Sequence, residues 1–231
     1  MKVMSFNTQH CLNYIERKID YKLMADTILR CGADIVGLQE MRDTGVDEGY
    51  DRQVPILSEL TGMSDWYFAK AIAFKGINPY GNGFLSKYPI RKAETILIPD
   101  PDPHQYDGYY ETRCVLKAEL ENGITVMVCH FGLNPDEAEC AVETIVQNLA
   151  SEKCILMGDF NVEPDNPVLD PIRARMKDTA EMFSAPRMSY PSDAPVQKID
   201  YIFVSPDMNV LSADIPAIVA SDHRPHLAEV E

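Results

Sequence analysis

One pattern occurs twice in this chain: an apolar strand, an amphipathic helix, and a second apolar strand that ends in a carboxylate. In the first half, Val3–Phe6 runs into Asn7. A helix is expected over Tyr21–Cys31, with Leu23, Ile28 and Leu29 on one side and Gly32 as its stop, and Ile35–Leu38 then leads into Gln39-Glu40. In the second half, Ile124–Cys129 runs into His130. Asn134-Pro135 caps and starts a helix through Ala138, Val142, Ile145, Val146 and Leu149, and Cys154–Met157 leads into Gly158-Asp159. Each unit has the length of a parallel crossover, roughly 30 residues. In sheets of that kind, ligands bind beyond the carboxyl ends of the strands. Asn7, Glu40, His130 and Asp159 all fall at such ends, so their spacing alone predicts that they share one rim.

Shorter apolar runs at Trp66–Ala69, Gly83–Ser86, Val115–Glu119, Tyr201–Val204 and Leu227–Val230 read as further strands. Several are hairpin-like, so mixed sheets are expected. Two irregular stretches, Pro99–Tyr110 and Phe183–Lys198, are long enough to be functional loops. No linker or low-complexity tract divides the 231 residues, which predicts a single domain over the whole chain.

The rim residues have both chemical and structural readings. Glu40 after a buried strand is placed to ligate a hard cation, or merely to cap a loop. Asn7 can orient a bound phosphate or close a strand-end turn. His130 can donate to a phosphoryl oxygen, protonate a leaving group, or sit satisfied in the core. Asp159 and Asn161 flank Phe160, whose ring should face the core while both polar groups face the cleft. Asp159 then suits orienting or deprotonating water, and Asn161 suits a phosphoryl oxygen. Asp200 is a charge within the apolar run Ile199–Val204 and needs a buried partner, for which His223 is the candidate. Asp222 would then be free to face a metal. Magnesium fits such a set because it takes oxygen ligands and keeps several waters.

Net charge is −15, from 36 acidic and 21 basic residues. Such a surface gives little counterion-release affinity for long nucleic acids. A nuclease would need basic residues converging on the cleft, with Lys75, Lys87, Arg113, Arg187, Lys198 and Arg224 as candidates; Arg113 can alternatively pair with Glu111. The six cysteines contain no Cys-x-x-Cys pair, which argues against zinc and a disulfide framework and for small buried side chains. Cys11 stands out by following the first site residue. The chain reads directly into a strand from Met1, without the apolar region of a signal peptide, and no apolar run is long enough to span a membrane. A cytoplasmic monomer without membrane insertion is expected.

Phe6-Asn7, Leu38-Gln39-Glu40, the run Gly81–Ile90, Cys129-His130-Phe131, Gly158-Asp159-Phe160-Asn161, Ile199–Phe203 and Ser221-Asp222-His223-Arg224-Pro225 follow one another in a familiar order. In this the chain resembles the endonuclease/exonuclease/phosphatase superfamily, which includes pancreatic DNase, abasic-site endonucleases, bacterial sphingomyelinases and inositol-polyphosphate phosphatases. The resemblance spans Phe6 to Pro225. It implies a four-layer α/β/β/α sandwich, two mixed β-sheets face to face with helices outside. It also implies hydrolysis of a phosphoester by in-line attack of water, with magnesium, or alternatively manganese, as cofactor. By the same likeness Glu40 is a metal ligand with Asn7 and Asp222 close by. Asp159 and Asn161 handle water and phosphoryl group, and Asp200 pairs with His223, which serves as base or as phosphate ligand. His130 matches the histidine-bearing branch, as in DNase and sphingomyelinase, rather than the abasic-site enzymes.

Together these readings predict a metal-dependent phosphoesterase acting on a small or headgroup-sized substrate, with Asn82 and Tyr109 among its contacts. The rivals are a DNA or RNA nuclease of the same superfamily and a binding or scaffold protein that kept the fold without the activity.

Overall fold

The two sequence repeats become the centres of two sheets. In the computed structural model, which describes residues 1–231, the elements in chain order are β1 (Lys2–Asn7), α1 (Tyr21–Cys31), β2 (Ile35–Arg42), α2 (Gln53–Thr61), β3 (Asp65–Phe74), β4 (Asn78–Ser86), β5 (Ile90–Leu97), β6 (Cys114–Leu120), β7 (Thr125–His130), α3 (Pro135–Asn148), β8 (Cys154–Asp159), α4 (Asp170–Arg173), β9 (Lys177–Asp178), β10 (Asp200–Val204), β11 (Val210–Asp214) and β12 (His226–Val230). One sheet has the order β11-β12-β1-β2-β4-β3 and the other β5-β6-β7-β8-β10-β9. In each, a single parallel pair, β1–β2 or β7–β8, is bridged by the expected helix, and every other pairing is antiparallel.

Three apolar clusters separate four layers. Val3, Ile35 and Phe84 of the first sheet meet Leu116, Val128, Ile155, Met157 and Ile202 of the second. Met24, Ile28 and Leu57 of α1 and α2 cover the outer face of the first sheet. Ala138, Val142 and Ile145 of α3, with Ile172 of α4, cover the second. The sheets approach so closely at Gly37 that a Cβ there would lie 2.7 Å from Sδ of Met157 and 2.9 Å from Cγ2 of Val128. The four-layer sandwich of two mixed sheets is therefore the fold.

The helices form for the local reasons expected. The carboxylate of Asp20 accepts from the backbone N–H of Leu23 at the start of α1, and Gly32, at φ +67°, closes it in the left-handed region that side chains disfavour. Pro135 opens α3, and the Glu137 carboxylate accepts from the backbone N–H of Asn134. The buried side of α1 differs from the expectation: it carries Met24, Ala25, Ile28 and Cys31, while Leu29 is half exposed.

Five elements carried no sequence expectation: α2, β5, α4, β9 and β11. Strands β5, β9 and β11 lie at sheet edges, where only part of one face is covered, so charges such as Arg91, Lys92 and Glu94 interrupt the alternation. Strand β2 also continues past Leu38 to Arg42. Its register against β4 shifts between Leu38 and Met41, and Glu40 sits at φ +62°. All six cysteines are free, five of them buried.

Candidate active site

Strand register assembles the site. Asn7 pairs with Gln39 across β1 and β2. His130 pairs with Asp159 across β7 and β8, and Asp200 pairs with Asp159 across β8 and β10. Strand β12 runs antiparallel to β1, so the Ser221–Pro225 loop before it arrives at the end of β1 that carries Asn7. The central strands of both sheets thus open onto one cleft, with Asn7, Glu40, Asp222 and His223 from one and His130, Asp159, Asn161 and Asp200 from the other.

Asp159 is the hub. Its Oδ1 accepts from the backbone N–H of Asn161 at 3.0 Å, closing an Asx turn, while its Oδ2 accepts from the Asn7 amide at 2.9 Å. The same Oδ2 lies 3.5 Å from Nε2 of His130 and 3.5 Å from Nε2 of His223. One oxygen thus makes the turn and the other faces the cleft. Gly158 before it is required by contact: a Cβ there would stand 2.1 Å from the backbone oxygen of Cys129. Phe160 is buried among Phe131, Tyr201 and Phe203, as its place in the alternation predicts. Asn161, at φ +51°, donates its amide to the Phe131 carbonyl at 3.1 Å.

The two histidines beside Asp159 have opposite partners. Nδ1 of His223 meets Oδ2 of Asp200 at 2.8 Å, which is the expected buried pair. Nδ1 of His130 meets Nη1 of Arg113 at 3.1 Å. Burial opposes charge on both rings. At His223 the carboxylates of Asp200, Asp159 and Asp222 outweigh burial and push the pKa up to about 10. At His130 the Arg113 charge adds to burial and holds the ring neutral, well below the usual imidazole range. Asp159 itself is raised to about 7, chiefly by burial, against the pull of His223.

Glu40 accepts from the Asn7 amide at 3.0 Å and lies 3.7 Å from Nδ1 of His10. Burial works against its charge, but His10, His130 and Asn7 together draw its pKa down to about 2. The strand bulge turns this side chain, and a non-glycine residue held at positive φ beside a site is the kind of strain that surrounding structure must support. Asp222 accepts from the Ser221 hydroxyl at 3.0 Å, and burial together with the Glu40 charge raises its pKa. Four carboxylates therefore converge here, a donor set of hard oxygens that suits a divalent cation. The tightest group, Asp159, Asp200 and His223, has ligand atoms within 4.8 Å of one another. Its compactness reflects the Asp200–His223 hydrogen bond, which already occupies Nδ1, so Glu40 and Asp222 are the freer carboxylates. Oδ1 of Asp200 is buried without a partner.

Asn82 and Tyr109 were the expected substrate contacts. Asn82 is buried with its amide on the Cys114 carbonyl at 2.9 Å, tying the two sheets together. Tyr109 is 65% exposed, and its backbone carbonyl accepts from the Asn134 amide. Of the six basic candidates, one, Arg113, reaches the side chain of a cleft residue. Lys75, Lys87 and Arg187 pair with Asp47, Asp34 and Asp214, and Nε of Arg224 donates to the Ser192 carbonyl. Lys198 is buried behind Asp200, donating to its backbone carbonyl. Arg113 does pair with Glu111 at 2.6 Å, and it also reaches His130. Cys11 is fully buried, and burial pushes its thiol up to about 12, so it is inert.

Sequence reasoning missed three neighbours. His10 was a lone histidine three residues after Asn7, a weak signal. The Arg113–His130 contact joins side chains 17 residues apart with no local mark. The ring of Tyr190 lies 4.8 Å from that of His223 and covers it, and nothing but its place in a long loop indicated this.

No helix is long and apolar enough to cross a membrane. No curated protein sequence matches the chain. Among solved structures, an endonuclease/exonuclease/phosphatase from Beutenbergia cavernae DSM 12333 superposes with a TM-score of 0.80 at 18% identity, covering 100% of this chain and 71% of that one. One from Bacteroides vulgatus gives 0.76 at 22% identity, with 100% and 98% covered. A mannosyl-6-phosphatase of Bacteroides thetaiotaomicron VPI-5482 gives 0.75 at 16%, with 100% and 99% covered. The sequence model of the Endonuclease/Exonuclease/phosphatase family matches from Met4 to His223, and every strand end that builds the cleft lies inside that match. By its sequence and by its two-sheet sandwich, the chain belongs to this family.

Proposed function

We propose that the protein is a divalent-metal-dependent phosphoesterase that hydrolyses a small or headgroup-sized phosphoester by in-line attack of water. The observation that carries this reading is the position of Oδ2 of Asp159. It lies on the Asn7 amide and midway between two imidazoles, one held charged and one held neutral. That arrangement offers a base and two hydrogen-bond donors around a single point, which is what phosphoryl transfer to water requires.

Glu40 and Asp222, with Asn7 beside them, are the residues that would hold magnesium, or manganese in its place. Bound there, the cation would neutralise charge on the phosphoryl oxygens. The chain's own groups supply the rest. Asp159, poised near neutrality, takes the proton from the attacking water. The His223 imidazolium, held by Asp200, donates to a phosphoryl oxygen from one side and His130 from the other, and Asn161 limits where that group can sit. On this reading His223 is a phosphate ligand and Asp159 the base.

The small substrate is favoured by the charge of −15 and by the pairing of Lys75, Lys87 and Arg187 with carboxylates of their own. That a structural neighbour is a mannosyl-6-phosphatase fits the same reading. The test is magnesium-dependent hydrolysis of bis-(p-nitrophenyl) phosphate, p-nitrophenyl phosphate and plasmid DNA, each beside Asp159→Ala. Cleavage of a small ester and not of plasmid, lost in the variant, is expected. Plasmid cleavage lost in the variant would replace this reading with the nuclease, and turnover unaffected by the substitution would overturn the site.

A further inference from the structure

The cleft holds two imidazoles whose Nε2 atoms stand at the same 3.5 Å from one carboxylate oxygen, yet their Nδ1 atoms meet groups of opposite hydrogen-bonding character. A neutral imidazole has one N–H and one lone pair, and the partner of one nitrogen decides which is left at the other. Asp200 can only accept, so it requires Nδ1–H on His223. A guanidinium can only donate, so Arg113 requires the lone pair at Nδ1 of His130, and the proton must sit on Nε2, facing Asp159 and the cleft.

Building on the phosphoesterase reading above, we propose that Arg113 is a positioning residue. By donating to Nδ1 of His130 it fixes that ring as the neutral Nε2–H tautomer, so that His130 acts as a fixed hydrogen-bond donor to the phosphoryl oxygen and not as a proton-transferring acid. Arg113 is itself largely buried and paired. It immediately precedes β6, and its side chain is 11% exposed, as is that of Glu111, whose Oε1 lies 2.6 Å from the same Nη1 that reaches His130. Glu111 balances the charge of Arg113 as a buried ion pair, and Arg113 orients His130. A carboxylate in place of the guanidinium would reverse the arrangement, moving the proton to Nδ1 and leaving an acceptor, a second potential base, in the cleft. Two histidines on one hub thus take different roles because of the groups behind them. His130 keeps its proton throughout, so the leaving oxygen takes its proton from solvent water as the P–O bond to it breaks.

The test reads the tautomer directly. The chain has five histidines, few enough to assign by long-range 1H–15N correlation in protein labelled at the imidazole nitrogens. In the metal-free protein at pH 7, His130 is expected to show a lone-pair Nδ1 and a protonated Nε2, and Arg113→Glu is expected to reverse that pattern. An Nδ1–H or doubly protonated His130 in the wild type overturns the proposal. This readout needs no turnover, so it separates failure of the Arg113 inference from failure of the phosphoesterase reading. In the active enzyme, Arg113→Met should lower kcat about 100-fold, the effect of losing one aligned donor, with KM changed less than about threefold. Arg113→Lys, which keeps a donor, should recover part of it. The double variant Arg113→Met/His130→Ala should be no slower than His130→Ala alone. A double variant slower by another order of magnitude would show that Arg113 acts on substrate directly and would overturn the positioning role. Should Arg113→Met unfold because Glu111 is left buried and unpaired, Glu111→Gln/Arg113→Met removes that charge and gives the same comparison.

Discussion

Asp200→Asn probes the electrostatics of the cleft most directly. The wild-type pair places Oδ2 of Asp200 2.8 Å from Nδ1 of His223, with both side chains almost wholly buried. The interval between about 10 and the ordinary imidazole value of 6.5 corresponds to roughly 5 kcal/mol in favour of the charged ring, net of burial. Asp200 is the nearest of the three carboxylates responsible, at 2.8 Å against 3.5 Å for Asp159. At an effective dielectric constant of about 20, an ion pair at that separation contributes on the order of 5 kcal/mol. Asparagine keeps the shape and removes the charge, so His223 should return to a value near or below 6.5. At pH 7.5 the ring would be mostly neutral, and kcat should fall about 100- to 1000-fold through loss of a charged donor. The alkaline limb of the kcat profile, set by loss of the His223 proton, should move down by about three pH units. The assay is kcat against pH for both proteins on the ester that the wild type cleaves, with imidazole 15N shifts followed over the same range. A variant whose kcat stays within threefold and whose alkaline limb does not move would refute the assignment of His223 as a charged phosphate ligand.

Other expectations follow from the same geometry. Magnesium titrated into the wild type should raise its thermal midpoint, by the equivalent of about 2–3 kcal/mol at 100-fold excess over Kd, and Glu40→Gln should abolish the rise; an unchanged rise in that variant would remove Glu40 from the metal site. His226 is buried and its pKa is depressed to about 3, chiefly by burial with the Lys198 charge adding. The unfolded chain therefore binds a proton below pH 6.5 that the folded chain refuses, so this stability is full above 6.5 and is lost as pH falls toward 3. Denaturant unfolding at pH 7 and pH 4 should show His226→Asn losing several kcal/mol less over that interval than the wild type, and equal losses would contradict it. Phe160→Ala should cost about 3–5 kcal/mol by opening a cavity among Phe131, Tyr201 and Phe203, measured by the same unfolding; a cost below about 1 kcal/mol would mean that this face is not the packed core described.

The comparison of sequence with structure turns on how far each signal reaches along the chain. Asn7, Glu40, His130 and Asp159 were legible because strand alternation and crossover length fix where a strand ends, and parallel pairing brings such ends together. Asp200 was legible because a charge in an apolar strand must find a partner. Phe160 was legible because strand alternation puts it between Asp159 and Asn161. Edge strands β5 and β11 were not legible, since half-covered faces leave no clean alternation. The bulge at Glu40 was hidden as well, because a one-residue register shift depends on the neighbouring strand β4.

The sequence by itself thus determined the two strand–helix–strand units and the rim, which follow from local periodicity and from residue types at strand ends, while the four-layer sandwich was what the family resemblance implied. Only the tertiary structure decided the protonation pattern on that rim. Asp200 stands behind one imidazole and Arg113 behind the other, Lys75, Lys87 and Arg187 are drawn off to their own carboxylates, and the Asn82 amide is taken up between the sheets. The physical reason is that a hydrogen bond depends on the direction and partner of a side chain at distances of about 3 Å. Those are set by packing between segments far apart in the chain, and no spacing within a single segment encodes them.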